Sequence, residues 1–474
     1  MPYTARCVLR PLLALSIAFA AVGCASGVPA TDAGGDAAQA AGLGEAIRFR
    51  IEGDPVDVPG DGSDGDALGA AEVVRLALTR DPTIQAALAR VHVARAEATR
   101  SRLLPNPVLS VVLRWPDGGG RPDIEAGLAA DLVALLSRPG RVRVAGARLR
   151  AAAAEVLTIT LDALAEVQAR HVAVGAADDA LSVIEDRVGI LDRLLGIARS
   201  RLDAGEGTRL DVLALEAQRV ELETERRERQ LDRVEQRLVL NRLIGRPSAS
   251  VDWPLRPWPL DESPLGPEPE WLAAAAERRP EILRQRFELM ALGQEARLAA
   301  FGPFDGADVG LDAERGGGDW AAGPGVSLPL PLFDFGQARR GQARAAVVAA
   351  RHDLTRVGRQ VVEETRRAYA AVVASRENLA RVGSELIPIA EQRLAQAEVQ
   401  FRSGQTDTAG LLQAEEDLRT ARLRLIELRQ RSADALIRLQ RAAGGPGSVR
   451  RSDATLAPEI PDHPTSKTAT TQKD

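Results

Sequence analysis

The stretch IEDRVGILDRLLGIARSRLDAGEGT, residues 184–208, decides the fold. Ile184, Val188, Leu191, Leu195, Ala198 and Leu202 recur in alternating steps of four and three, the seam of a coiled coil. The seam stops at Asp203-Ala204-Gly205-Glu206-Gly207, a turn composition. Working outward, no proline occurs between residues 140 and 246. A helix from Arg141 to Asp203 would therefore run for about 95 Å at ~1.5 Å per residue, and a return helix is expected from Thr208 to Leu243. Gly189 is a place where the outgoing helix is expected to bend.

The pattern occurs twice. Pro82, Glu97, Ala98 and Pro105 recur in the same spacing as Pro280, Glu295, Ala296 and Pro303, and Gly205, Leu213 and Glu216 recur as Gly404, Leu412 and Glu415. A second hairpin follows: Gln337 to Arg402, a turn at Ser403-Gly404-Gln405, and a return helix carrying Leu411, Ala414, Leu418, Ala421, Leu425 and Leu428. Pro388 takes the place of Gly189 and is likewise a bend position. A repeat this long is a duplicated domain-sized unit.

Each hairpin is preceded by a helix (about 68–102 and 269–300) and then by a different periodicity. Strands are expected over 108–115 and 124–135, and over 307–314 and 322–333, with glycine-rich turns between them. Trp115 and Trp320 flank those turns, where interfacial aromatics sit. Surface chance is the competing reading. Strands of this length suit a membrane barrel, yet four cannot close one, and an open edge in lipid leaves unpaired backbone groups. The barrel must be shared between chains.

Composition agrees with long helices. Only 3% of residues are aromatic, while 45% hydrophobic and 27% charged is ordinary for a folded chain. A net charge of −5 carries no nucleic-acid footprint. At the N-terminus, Arg6 and Arg10 precede an apolar run from Leu12 to Val22 that ends in Ala21-Val22-Gly23-Cys24. This reads as a secretory signal. Small residues before the cysteine match a bacterial lipoprotein cleavage site, with Cys24 the acylated (palmitate-bearing) residue; an ordinary signal with an incidental cysteine is the alternative. Catalysis finds no support: His92, His171, His352 and His463 show no metal-ligand spacing and read as helix-face or tail residues, and no nucleophile or phosphate-loop motif occurs.

The chain resembles the outer membrane efflux protein family, the TolC-like outer membrane factors of lipoprotein type. The resemblance rests on Leu104-Pro105-Asn106-Pro107, on Leu328-Pro329-Leu330-Pro331-Leu332-Phe333-Asp334-Phe335-Gly336, on Phe401-Arg402-Ser403-Gly404, and on the duplicated layout. It implies a mainly α fold with a membrane β-barrel. In it, long coiled-coil hairpins form an α-barrel and each chain gives four strands to a 12-stranded homotrimeric barrel. It implies a non-enzymatic channel without cofactor or metal, in the outer membrane and its lipid. That channel serves a tripartite efflux system with a periplasmic adaptor and an inner-membrane pump of the resistance-nodulation-division type. Adaptor contacts would fall on the helical tips at Arg201, Gly205, Thr208, Phe401, Gly404 and Asp407. Many members carry two carboxylates at positions held here by Gly410 and Gln413, whereas Asp211 keeps one in the first hairpin. Asp211 is thus the candidate entrance constriction, since symmetry-related carboxylates favour a bound cation; a helix N-terminal aspartate favourable to the dipole is the competing reading. A lipid-anchored periplasmic adaptor or scaffold without a channel is the alternative to the whole.

The expected organisation is a signal peptide over 1–23, a lipid-anchored flexible tether over 24–66, a first repeat over 67–246, a proline-rich linker over 247–268, a second repeat over 269–443 and a disordered tail over 444–474.

Overall fold

The computed structural model describes residues 31–51, 67–115, 122–247, 249–259, 263–316, 319–403 and 405–447. The signal segment, Cys24, Gly404 and most of the C-terminal tail lie outside the described residues.

In the first repeat, α2 (Ala70–Arg80) and α3 (Pro82–Arg102) lead into β1 (Val108–Arg114) and β2 (Asp123–Asp131). A long hairpin follows, α4 (Leu132–Asp203) and α5 (Arg209–Leu243). The second repeat has the same order: α6 (Glu268–Arg278), α7 (Pro280–Leu298), a 3-10 turn, β3 (Asp308–Gly316) and β4 (Asp319–Ser327). Its outgoing helix is α8 (Gln337–Arg381), continued after a π turn by α9 (Ile387–Arg402), and its return helix is α10 (Thr408–Ala442). Both repeats place a strand pair at one end of a long helical hairpin.

The expected single helices over 68–102 and 269–300 are each two helices. Pro82 and Pro280 force the residues before them, Asp81 and Arg279, into extended backbone (ψ 117° and 120°). Asp81 then caps α3 by accepting from the Thr83 amide at 2.6 Å. The repeated prolines thus mark repeated corners.

The second strand is shorter than the expected 124–135. Asp131 ends it and caps α4, its carboxylate accepting from the Ala134 amide at 2.7 Å, so the 72-residue α4 begins at Leu132 with Pro139 inside its second turn. The last strand starts at Asp319 and stops at Ser327, not Phe333, because Pro329 and Pro331 have no N–H for the ladder. Helix α4 runs unbroken through Gly189. At the matching place in the second repeat, Pro388 cannot donate to the Ser384 carbonyl. The chain answers with a π turn, Val382–Leu386, in which the Ile387 amide donates to the Val382 carbonyl.

The seam residues are core: Ile184, Leu191, Leu195 and Ala198 pack with Val212, Leu215, Leu222, Phe401 and Leu411 near the tips. A larger core joins α2, α3, the upper part of α4 and the end of α5. The segment expected to be a flexible tether contributes to it. There, α1 (Ala33–Ala40), capped by Asp32 at the Gly35 amide (2.9 Å), buries Ala33, Ala37 and Ala38 in the same cluster.

The inter-repeat linker is clamped from α5 and α4. Arg237 donates to the Val251 and Trp253 carbonyls (3.0 and 2.6 Å), and Asn241 accepts from the Trp253 indole (2.9 Å). His171, read from sequence as a helix-face residue, is fully buried. Its Nε2 lies 2.8 Å from the Arg256 carbonyl and its ring stands edge-on to Trp258 at 5.2 Å. The helix face it occupies is the one the linker covers, and that contact is not encoded in helical periodicity.

Candidate functional site: the sheet and the helical tips

The four strands form one antiparallel sheet in the order β1-β2-β3-β4, with β1 and β4 as edges. The register sorts side chains by face. Leu109, Val111 and Leu113 lie opposite Leu128, Ala126 and Ile124; Leu128 and Ala130 lie opposite Leu311 and Val309; Leu311 and Val309 lie opposite Pro324 and Val326. This face is apolar across all four strands except at Arg315, which lies opposite Ile124 and Trp320 at one end of the strands. The other carries Ser110, Glu125, Gly127, Asp312, Glu314, Gly323 and Gly325, with Arg114 paired to Glu125 at 2.9 Å. Gly127 and Gly325 leave room for Asp312, since a Cβ at Gly325 would lie 2.1 Å from its carboxylate. Among the described residues nothing covers the apolar face: Leu109, Val111 and Leu113 are exposed. Trp115 and Trp320 are exposed at one end of the strands, and Arg315 lies over the Trp320 ring at 6.0 Å.

At the opposite end of the hairpins the two tips meet. Gly205, at φ +76°, supplies the left-handed turn residue after α4. Thr208 and Asp211 form a capping box at the start of α5. The Asp211 amide donates to Thr208 Oγ1 (3.2 Å), and the Asp211 carboxylate accepts from the Thr208 amide (3.1 Å) and hydroxyl (2.6 Å). Its second oxygen accepts from the Thr408 hydroxyl at 2.7 Å, across to the other repeat. The hydrogen bonds from Thr208, and then that from Thr408, hold the Asp211 carboxyl below the usual carboxylate range. Asp407 caps α10 through the Gly410 amide (2.9 Å) and is exposed, as is Thr208.

Arg201 joins the tips a second time, donating to the Phe401 carbonyl at 3.3 Å with its guanidinium 5.3 Å from the Phe401 ring. Phe401, expected among the contact residues, is instead core at 3% exposure, because its ring fills the seam between the hairpins beneath Arg201. The outward apolar residues of the tip are Leu210 and Leu213, at 75% and 50% exposure. Sequence reasoning gave no individual role at the tip to Leu210, Leu213 or Thr408, naming Leu213 only as a repeat position and the other two only as part of the turn segments 201–211 and 401–410. The first two depart from the buried seam at the start of α5, which is a readable signal; the partnership of Thr408 with Asp211 is not local and leaves none.

Among the described residues no helix is long and apolar enough to cross a membrane, and no histidine, cysteine and carboxylate cluster could hold a metal ion.

The four-stranded sheet set on duplicated helical hairpins is similar in fold to solved TolC-like outer membrane channels. The outer-membrane channel OprN superposes with a TM-score of 0.68 at 21% identity, over 80% of this chain and 90% of its own. The outer membrane protein VceC of Vibrio cholerae gives 0.68 at 19% identity, over 79% and 96%. Residues 271–445 match the outer membrane efflux protein family. The fusaric acid resistance protein FusA of Burkholderia cepacia is 30% identical over 196 residues, a match covering 37% of this chain and 34% of FusA.

Proposed function

We propose that this protein is the outer membrane channel of a tripartite efflux system, receiving substrate from an inner-membrane pump of the resistance-nodulation-division type through a periplasmic adaptor. The carrying observation is the two-faced, open-edged sheet. An apolar face without cover suits lipid, an acidic and glycine-lined face suits a water-filled lumen, and β1 and β4 each offer an unpaired edge that a second copy can close. Three copies make a 12-stranded barrel, with the helical hairpins continuing the lumen into the periplasm. Trp115 and Trp320 sit at the membrane interface, and Cys24 carries the lipid anchor.

The tips form the adaptor-facing end, with Arg201, Gly205, Thr208, Gly404 and Asp407 at the contact, joined by the exposed Leu210 and Leu213. Asp211 has two roles in this reading. It ties the hairpins through Thr408, and, repeated by symmetry, it lines the entrance. The test is single-channel recording from purified, detergent-extracted protein in planar bilayers, with the mass of the oligomer measured in parallel. A stable conductance from a trimer is the expected result; a soluble, non-conducting species would overturn the duct and favour a coiled-coil scaffold.

A further inference from the structure

Glu415, on the inward face of α10, is used neither by the packing nor by the duct. It is 4% exposed, and neither carboxyl oxygen meets a hydrogen-bond donor. The repeat explains why. Its counterpart in the first hairpin, Glu216, is paired with Arg199 of the outgoing helix at 2.7 Å, and both side chains are exposed. The second-repeat counterpart of Arg199 is Glu398. The same place in the seam therefore holds an ion pair in one hairpin and two acids in the other.

The neighbours leave Glu415 unpaired. From α4, Arg187 is buried but engages Glu416 at 2.5 Å, Asp186 lines the same cavity as Glu415, and Arg193 acts on Glu415 through its charge alone. From α9 come Glu398 and the apolar Leu394. On α10 itself, Arg419 is bonded to Glu416 and to Glu225 of α5, and Arg422 to Glu391. A cavity of about 30 Å³ between Val183, Arg187, Ile190, Leu394, Glu415 and Leu418 has room for a water-sized molecule and little more.

We propose that Glu415 is a proton-operated lock on the second hairpin, its carboxyl holding a proton more tightly while α10 is packed between α4 and α9 than once that seam separates. Burial, opposed by Arg187 and reinforced by Glu398, lifts the packed carboxyl to about 7 from an ordinary 4.5. Because the separated seam ionises at the lower value, separation becomes easier by about tenfold per pH unit between those two values and levels off above the higher one. Acid holds the tip shut. If the tip is the entrance of the duct proposed above, this couples its aperture to periplasmic pH; that clause rests on the channel reading, whereas the lock itself does not.

The test is hydrogen–deuterium exchange of the full-length protein in detergent, following peptides across residues 408–425 and correcting for intrinsic exchange rates. Protection should fall about 60-fold from pH ~5 to pH ~7.5 by the same linkage. Glu415→Gln should stay protected at both pH values, and Glu216→Gln should keep the wild-type dependence. Glu398→Arg, which offers Glu415 the pairing found in the first hairpin, should also flatten the response and serves if Glu415→Gln folds poorly. A flat wild-type profile, or a dependence surviving in both Glu415→Gln and Glu398→Arg, would overturn the lock. Since exchange reads local separation and not conduction, a failure here is distinct from a failure to conduct.

Discussion

Replacing Thr408 by valine removes one hydroxyl and leaves the shape and the α5 capping box intact. In the folded tip that hydroxyl donates to Asp211 across the two repeats at 2.7 Å. A hydrogen bond to a charged acceptor contributes about 1.5–3 kcal/mol when shielded. Asp211 is only partly covered, so about 1 kcal/mol is the appropriate figure after allowing for solvent. Asp211→Ala loses that bond and the capping box with Thr208, a further ~1 kcal/mol. Arg201, Arg209 and Arg402 border the turns, so trypsin reports tip opening directly. Where cleavage follows the open population, Thr408→Val should speed nicking about fivefold and Asp211→Ala about 30-fold. The double variant should be no faster than Asp211→Ala alone, because the Thr408 bond has already gone. If Thr408→Val leaves the nicking rate unchanged, or if the two effects multiply in full, the hydroxyl–carboxylate tie does not hold the tips together.

Arg441 bonds Asp162 at 2.6 Å and Glu281 at 2.5 Å with little exposure of its own, so Arg441→Met should cost about 3 kcal/mol and lower the melting temperature by several degrees. Restoring part of that loss with Glu281→Gln in the same background would identify the stranded carboxylate as the cause. His171 is held below the ordinary histidine range by burial, with the Arg256 carbonyl opposing. The undocked ring is therefore protonated first, and the linker's hold should be constant above about pH 6.5 and weaken as pH falls below it. Trp258 emission should follow that fall in wild type and stay flat in His171→Gln. Asp312→Asn, on the acidic face of the sheet, should reduce cation-over-anion selectivity in bilayer recordings without altering oligomer mass; unchanged reversal potentials would move selectivity elsewhere in the lumen.

Why some features were legible and others not follows from their range. The seam from Ile184 to Leu202 was readable because packing one helix on another imposes a period on consecutive turns. The turn at Gly205 was readable because a positive φ selects glycine. Strand ends were misjudged where alternation ran past the ladder. The leucines from Leu328 to Leu332 keep a strand's period, but Pro329 and Pro331 cannot pair, and only the pairing of Ser327 with Asp308 marks the end. Likewise Asp131 reads as one more strand residue until its carboxylate is seen on the Ala134 amide.

Duplication, helical hairpins, paired strands and the absence of catalytic groupings were determined by the sequence itself, because each rests on residues near one another along the chain. Only the tertiary structure decided that Asp211 reaches Thr408, that Phe401 is core under Arg201, that His171 anchors the linker, and that Glu415 faces Glu398 without a partner. Each of these depends on how one repeat settles against the other or on which side chain already holds the nearest arginine. That settlement is the outcome of packing over the whole molecule, which no local pattern records.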